Sequence, residues 1–149
     1  MKLLSKITTR NLDIFPVSVG TVLEIPVVST AISAGFPSPA LDFIDLSIDM
    51  NKHLIKRPSS TFYGRVKGQS MKDVGITDGD LLVIDKSITP KNDQIAVCYV
   101  DGEFTIKKIK FEQDICWLIP ANDAYQPIRV TSQNDFLIWG IVTHVIKAF

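Results

Sequence analysis

The sequence predicts a mostly β protein: a curved, partly barrel-like antiparallel sheet with few short helices, preceded by an extended N-terminal arm. Three observations carry this. From Thr61 onward, short β-prone runs follow one another at close intervals. Two of them, in "YVDGEFTIKKIKF", are joined by Asp101-Gly102, a pair that favours a type I′ hairpin turn. Before residue 45, Pro16, Pro26, Pro37 and Pro39 interrupt the chain too often for any long helix.

Residues 1–45 read as an arm with local strand character, in "IFPVSVG" and "EIPVVSTAISAG". Phe36–Pro39, "FPSP", is expected to be extended, because each proline pushes its predecessor toward the β or polyproline region. Residues 46–149 read as the folded domain. At their start, "LDFIDLSIDMNKHLI" suggests a short helix breaking into a strand around Ile48–Ile55. The strands expected after that are "TFYGRVKG", "DLLVID", "QIAVCYV", "EFTIKKIKF", "ICWLIPA", "PIRVTS" and "FLIWGIVTHVIKAF".

Composition narrows the function classes. The 149 residues are 46% hydrophobic and 21% charged, enough for one domain with a real core. Sixteen Lys and Arg balance sixteen Asp and Glu, so no basic excess argues for binding nucleic acid through its phosphates. No run of about 18 apolar residues spans a membrane. "MKLLSKITTRNLDIF" lacks the apolar stretch of a signal peptide, which implies a cytoplasmic protein. Cys98 and Cys116 lie in apolar runs and read as buried small hydrophobes rather than a disulfide. With two histidines and no Cys or carboxylate at ligand spacing, no metal site is expected, and without a Gly-rich phosphate loop no cofactor is either.

One segment does not fit a purely structural reading. "VKGQSMKDVGITDGDLLVID", Val66–Asp85, sets Ser70 between flexible residues ahead of a tight Asp-Gly turn, with Gly68 and Gly75 placed to let the loop bend. A serine hydroxyl is a poor nucleophile until a neighbour takes its proton. His53 lies in a polar stretch and His144 reads as a sheet-edge histidine, so neither suggests a Ser-His-Asp arrangement. A neutral lysine is the alternative base. At the ordinary pKa of about 10.4, roughly one lysine in 2,500 is neutral at pH 7, but burial lowers that pKa by roughly 3 to 5. A lowering of about 3 makes tens of per cent neutral, at a cost near 4 kcal/mol.

Such a lysine needs apolar surroundings, and "EFTIKKIKF" provides them. Strand alternation puts Thr105, Lys107, Ile109 and Phe111 on one face and Phe104, Ile106, Lys108 and Lys110 on the other. Lys107 shares its face with no other lysine, which favours it over Lys108. Both lysines being ordinary surface charges is the competing reading.

Taken together, "GQSMKDVGITDGDLLVID", the hairpin "DGEFTIKKIKF", the upstream "AGFPSPALDFIDLSIDMNKHLI" and the terminal "GIVTHVIKAF" resemble the self-cleaving LexA/UmuD group of serine peptidases, the peptidase S24 type. The likeness runs from about Ala34 to the C-terminus and is strongest to UmuD-type proteins. It implies Ser70 as nucleophile, Lys107 as general base, and a scissile bond in the chain's own arm at Ala34-Gly35. UmuD-type proteins often carry cysteine before that glycine; alanine here matches LexA-type repressors. Glycine lets the backbone come close to an attacking hydroxyl, and the prolines hold the segment extended. Backbone N–H groups around Ser70 and Met71 are candidate oxyanion donors.

The resemblance further implies an SOS-response role: self-cleavage stimulated by a RecA filament on single-stranded DNA, homodimerisation, and service to a UmuC-like Y-family polymerase in error-prone translesion synthesis. A LexA-type transcriptional repressor is the runner-up, weakened because 34 proline-broken residues before Ala34-Gly35 offer no two-helix DNA-binding pattern. A non-cleaving polymerase-interaction module is a third reading, and an anchored signal-peptidase relative is disfavoured.

Overall fold

A computed structural model describes residues 6–18, 20, 24–28 and 44–149. Ala34-Gly35 and the "FPSP" segment lie outside the described residues. The chain divides into two compact units, one formed by Met1–Val17 with Arg57–Phe149, the other by Ser18–Lys56.

The larger unit holds strands β1 (Ile7–Thr8) and β2 (Leu12–Pro16). The smaller unit contributes β3 (Glu24–Val28), β4 (Ile44–Asp49) and the helix α1 (Met50–Leu54). The larger unit then continues with β5 (Thr61–Val66), β6 (Leu81–Asp85), β7 (Ile95–Val100) and β8 (Glu103–Glu112). It ends with β9 (Ile115–Ile119), β10 (Ile128–Val130) and β11 (Phe136–Ile146). The expectation of a mostly β chain with few short helices holds.

In the larger unit, nine antiparallel strands form one sheet in the order β1-β2-β5-β6-β11-β7-β8-β9-β10. The sheet is not closed, because the short strands β1 and β10 are its two edges and do not pair; "barrel-like" overstates its curvature. Curvature enters through β11, whose register slips against β7 between Ile138 and Gly140 and against β6 between Val142 and His144. An extra residue at each slip bends the strand and raises its twist. At the first, a Cβ on Gly140 would lie 2.6 Å from Ile84 Cγ2, so only glycine lets β11 pass so close to β6. His144 is not a sheet-edge residue: β11 lies inside the sheet, between β6 and β7.

The β7–β8 turn is as its sequence requires. Val100 pairs with Glu103, leaving Asp101 and Gly102 as a two-residue loop with φ of 46° and 93°. Two positive φ values are the mark of a type I′ turn.

In the smaller unit the order of elements is the reverse of that expected, with strand before helix. Ile44, Leu46 and Ile48 alternate with polar residues, a period of two that suits β4 pairing with β3. Asp49 then stops the strand and caps the helix, its Oδ1 accepting from the Asn51 N–H at 3.1 Å.

Two groups of buried side chains form the core of the larger unit. One gathers Leu12, Ile14, Val66, Met71, Ile76, Leu82, Ile84, Val97 and Ile106; the other gathers Ala96, Cys98, Ile109, Cys116, Leu118, Val130 and Ile141. Neighbouring residues of β7 and β8 fall in different groups, so these central strands are covered on both faces. Cys98 and Cys116 are buried free thiols. Replacing Gly140 with Ala should destabilise the chain by about 1–3 kcal/mol, since the added methyl overpacks fully buried Ile84. The midpoint of urea unfolding reads this. Gly20→Ala, whose methyl meets nothing within 4 Å, should leave the midpoint unchanged.

Candidate active site

The β5–β6 connection carries Ser70. Its ends are tied together: the Val66 N–H donates to Asp80 O and the Gly79 N–H donates to Val66 O, each at 2.9 Å. The Gly68 N–H donates to Asp78 Oδ1 at 2.8 Å. Asp80 is itself pinned, accepting from Lys147 at 2.6 Å and from the Thr77 N–H at 2.8 Å. Burial alone would raise the Asp80 carboxyl, but Lys147 and Thr77 outweigh it and hold its pKa below the ordinary carboxylate value.

Within this frame Met71 and Ile76 plug into the core at 2% and 1% exposure, and Lys72–Val74 form a single 3-10 turn between them. The methionine after the serine is therefore an anchor. With Met71 held inward, Ser70 stays half-buried at the wall of a cleft of about 700 Å³. Gln69, Thr105 and Lys107 also line it.

Lys107 arrives from β8, opposite Ala96 of β7 in the strand register. Thr105, two residues back on the same face, pairs with Cys98. Lys107 is only 5% exposed. Its Nζ lies 3.0 Å from Ser70 Oγ, 2.7 Å from Thr105 Oγ1 and 3.1 Å from the Ile106 carbonyl oxygen. The two residues singled out in the sequence, 37 positions apart, thus meet at hydrogen-bond distance.

Burial lowers the pKa of Lys107, because desolvation disfavours the ammonium; Cys98 opposes this only in its thiolate form. Burial also pushes the Cys98 thiol up to about 12. It is therefore uncharged wherever a lysine with a lowered pKa titrates, and supplies no counter-charge there.

The three partners are all oxygens: an ammonium can donate to each, and a neutral amine can use the same three. A neutral Nζ has two N–H donors and one lone pair. The Ile106 carbonyl can only accept, Thr105 Oγ1 can accept, and the lone pair is left for the Ser70 hydroxyl proton. That arrangement can take a proton from the serine as its oxygen attacks an electrophile. Thr105 was not singled out as a site residue from sequence, although its place two residues before Lys107 on the same face is legible there. No sequence signal pointed to Ala121 and Asn122, which bond to the Ser70 loop.

His53 lies in α1, in the smaller unit. His144 Nδ1 is 3.0 Å from Thr143 Oγ1, and neither histidine bonds to Ser70 among the described residues. Among those residues no group of three or more His, Cys, Asp or Glu could hold a metal ion, and no helix is long and apolar enough to cross a membrane.

Comparison with known proteins shows the family of the chain. The Peptidase S24-like family matches residues 26–143. Protein ImpA of Escherichia coli is 38% identical over 121 residues, covering 81% of this chain and 82% of ImpA. Protein MucA of Escherichia coli is 38% identical over 136 residues, 90% of this chain and 92% of MucA. The LexA repressor of Alcanivorax borkumensis is 37% identical over 125 residues, 83% of this chain but 59% of the repressor.

The lysine can be tested directly. Followed by the ¹³Cε chemical shift, Lys107 should titrate with a midpoint below the ordinary lysine value of about 10.4. Thr105→Val, which removes one acceptor from the ammonium, should move that midpoint lower still. A midpoint at or above the ordinary value would contradict the effect of burial.

Proposed function

Because the chain belongs to the Peptidase S24-like family of serine peptidases, we propose that it cuts its own Ala34-Gly35 bond, with Ser70 as nucleophile and Lys107 as general base. The observation that carries this is the 3.0 Å approach of a buried lysine nitrogen to the serine oxygen. Neutral Lys107 takes the Ser70 proton as Oγ attacks the Ala34 carbonyl carbon. Negative charge gathers on the carbonyl oxygen, where backbone N–H donors stabilise it. The Lys107 ammonium then returns the proton to the Gly35 nitrogen as the peptide bond breaks. An ester joins Ala34 to Ser70. Water, losing a proton to the again neutral Lys107, attacks that ester and frees the Ala34 carboxylate and the Ser70 hydroxyl. Substrate and catalyst share one chain, so proximity supplies the high effective concentration that separate molecules would need binding energy to reach.

ImpA and MucA, UmuD-like relatives matched over four-fifths or more of their length, support an SOS-mutagenesis setting. In this reading a RecA filament on single-stranded DNA stimulates the cut, and the shortened homodimer serves a UmuC-like Y-family polymerase.

Intact mass after incubation at pH 5 to 10 tests the chemistry. A fragment beginning at Gly35 should appear, and Ser70→Ala and Lys107→Ala should each abolish it, whereas Lys108→Ala should not. The rate should climb with pH while Lys107 loses its proton and level off below about 10.4, because burial lowers that pKa. A rate flat across the whole range from pH 5 to 10 would count against Lys107 as base. Adding activated RecA filament at neutral pH should accelerate the same cut. A chain that stays whole in damaged cells would favour the non-cleaving interaction module.

A further inference from the structure

The segment after β9 is bonded to the Ser70 loop at three points. The Asn122 side-chain amide donates from Nδ2 to the Gln69 carbonyl oxygen at 2.8 Å. The Ala121 N–H donates to the Ser70 carbonyl oxygen at 2.8 Å, and the Asp73 N–H donates to the Ala121 carbonyl oxygen at 2.8 Å. Asn122 is buried, at 8% exposure, and its Oδ1 is fixed in turn by the Ala124 N–H at 2.9 Å. Its amide is thus oriented at both ends, oxygen toward Ala124 and nitrogen toward Gln69.

These bonds have a stereochemical consequence. A trans peptide is planar, so its N–H points opposite to its C=O. Fixing the Gln69 carbonyl fixes the direction of the Ser70 N–H, away from Asn122. Fixing the Ser70 carbonyl does the same for the Met71 N–H. Both N–H groups have no acceptor among the described residues, whereas their carbonyls are both bonded. Charge developing on a reacting carbonyl oxygen is best stabilised by donors whose direction is set in advance, because no reorganisation is then needed during reaction.

We propose that Asn122 is a positioning residue for the oxyanion site: by holding the Gln69 carbonyl it aims the Ser70 N–H at the oxygen of the scissile carbonyl. The inference rests on the Ser70–Lys107 peptidase reading. Asn122 touches neither Ser70 Oγ nor Lys107 among the described residues, so it acts on the height of the rate and not on the protonation of the base.

The test is the pH profile of self-cleavage in the full-length chain, beside its melting curve. Asn122→Asp keeps an oxygen for the Ala124 N–H but loses the donor to Gln69; Asn122→Ala loses both and adds no charge. Either variant, still folded at the assay temperature, should reach an alkaline plateau at least tenfold below wild type, and Asn122→Ala, which adds no charge, should leave the midpoint unmoved. Removal of one oxyanion donor in other serine peptidases costs roughly 10²–10³ in rate. A plateau at the wild-type level, a displaced midpoint in Asn122→Ala, or a loss that tracks unfolding in both variants would overturn the positioning role. Failure of the wild-type chain itself to cut would overturn the peptidase reading and this one with it, an outcome visible before any variant is compared.

Discussion

An amine kept out of water is the constraint on which the rest of this site depends. A primary ammonium in an apolar interior is expensive unless a carboxylate accompanies it. Among the described residues none does so for Lys107, whose pKa responds to burial and, in the opposite sense, to Cys98. Burying that thiol beside the lysine removes a negative charge that could have restored the ammonium, since the thiol is pushed up to about 12. The neutral amine is not left unsatisfied: two oxygens take its N–H groups and one hydroxyl can fill its lone pair. The same desolvation that makes a lysine costly as a structural residue suits it to serve as a base.

Keeping it dry is a property of the whole sheet. Ser70 belongs to the β5–β6 connection and Lys107 to β8, and in the sheet order β11 and β7 lie between those parts. The last strand of the chain is therefore inserted between elements far earlier in sequence. Its passage depends on a residue without a side chain at Gly140 and on two register slips that bend it. The Ser70–Lys107 contact thus joins parts of the chain that this non-local pairing brings into one sheet.

What could be read beforehand divides along the same line. The Asp101-Gly102 hairpin was legible because two residues with positive φ are a local requirement that Asp-Gly meets. The face of Lys107 followed from alternation, again local, and the Ser70 and Lys107 pairing came from the resemblance. The position of β11 was not legible: pairing partners are set by contacts distant in sequence, so His144 was placed at an edge it does not occupy. The order of β4 and α1 was misjudged because a short apolar run fits both periods, and the capping role of Asp49 decides between them. Asn122 was invisible, since "PAND" reads as a turn until its amide is seen against Gln69.

The parts that would hold a reactive serine ready all lie in the larger unit. Lys107, Thr105 and the Ile106 carbonyl share a strand, and Asn122 and Ala121 brace the loop of Ser70 itself. Under the proposed function, the hydrogen bonds that hold the base and orient the Ser70 loop both come from that unit. Control of self-cleavage could then act on delivery of the Ala34-Gly35 bond to this site. A stimulating partner need not touch Lys107 or change its pKa; raising the fraction of time the scissile segment spends in the cleft is sufficient. Such a partner would multiply the rate by the same factor at every pH, as an effect on occupancy must, and would leave the midpoint set by the buried amine where it stood.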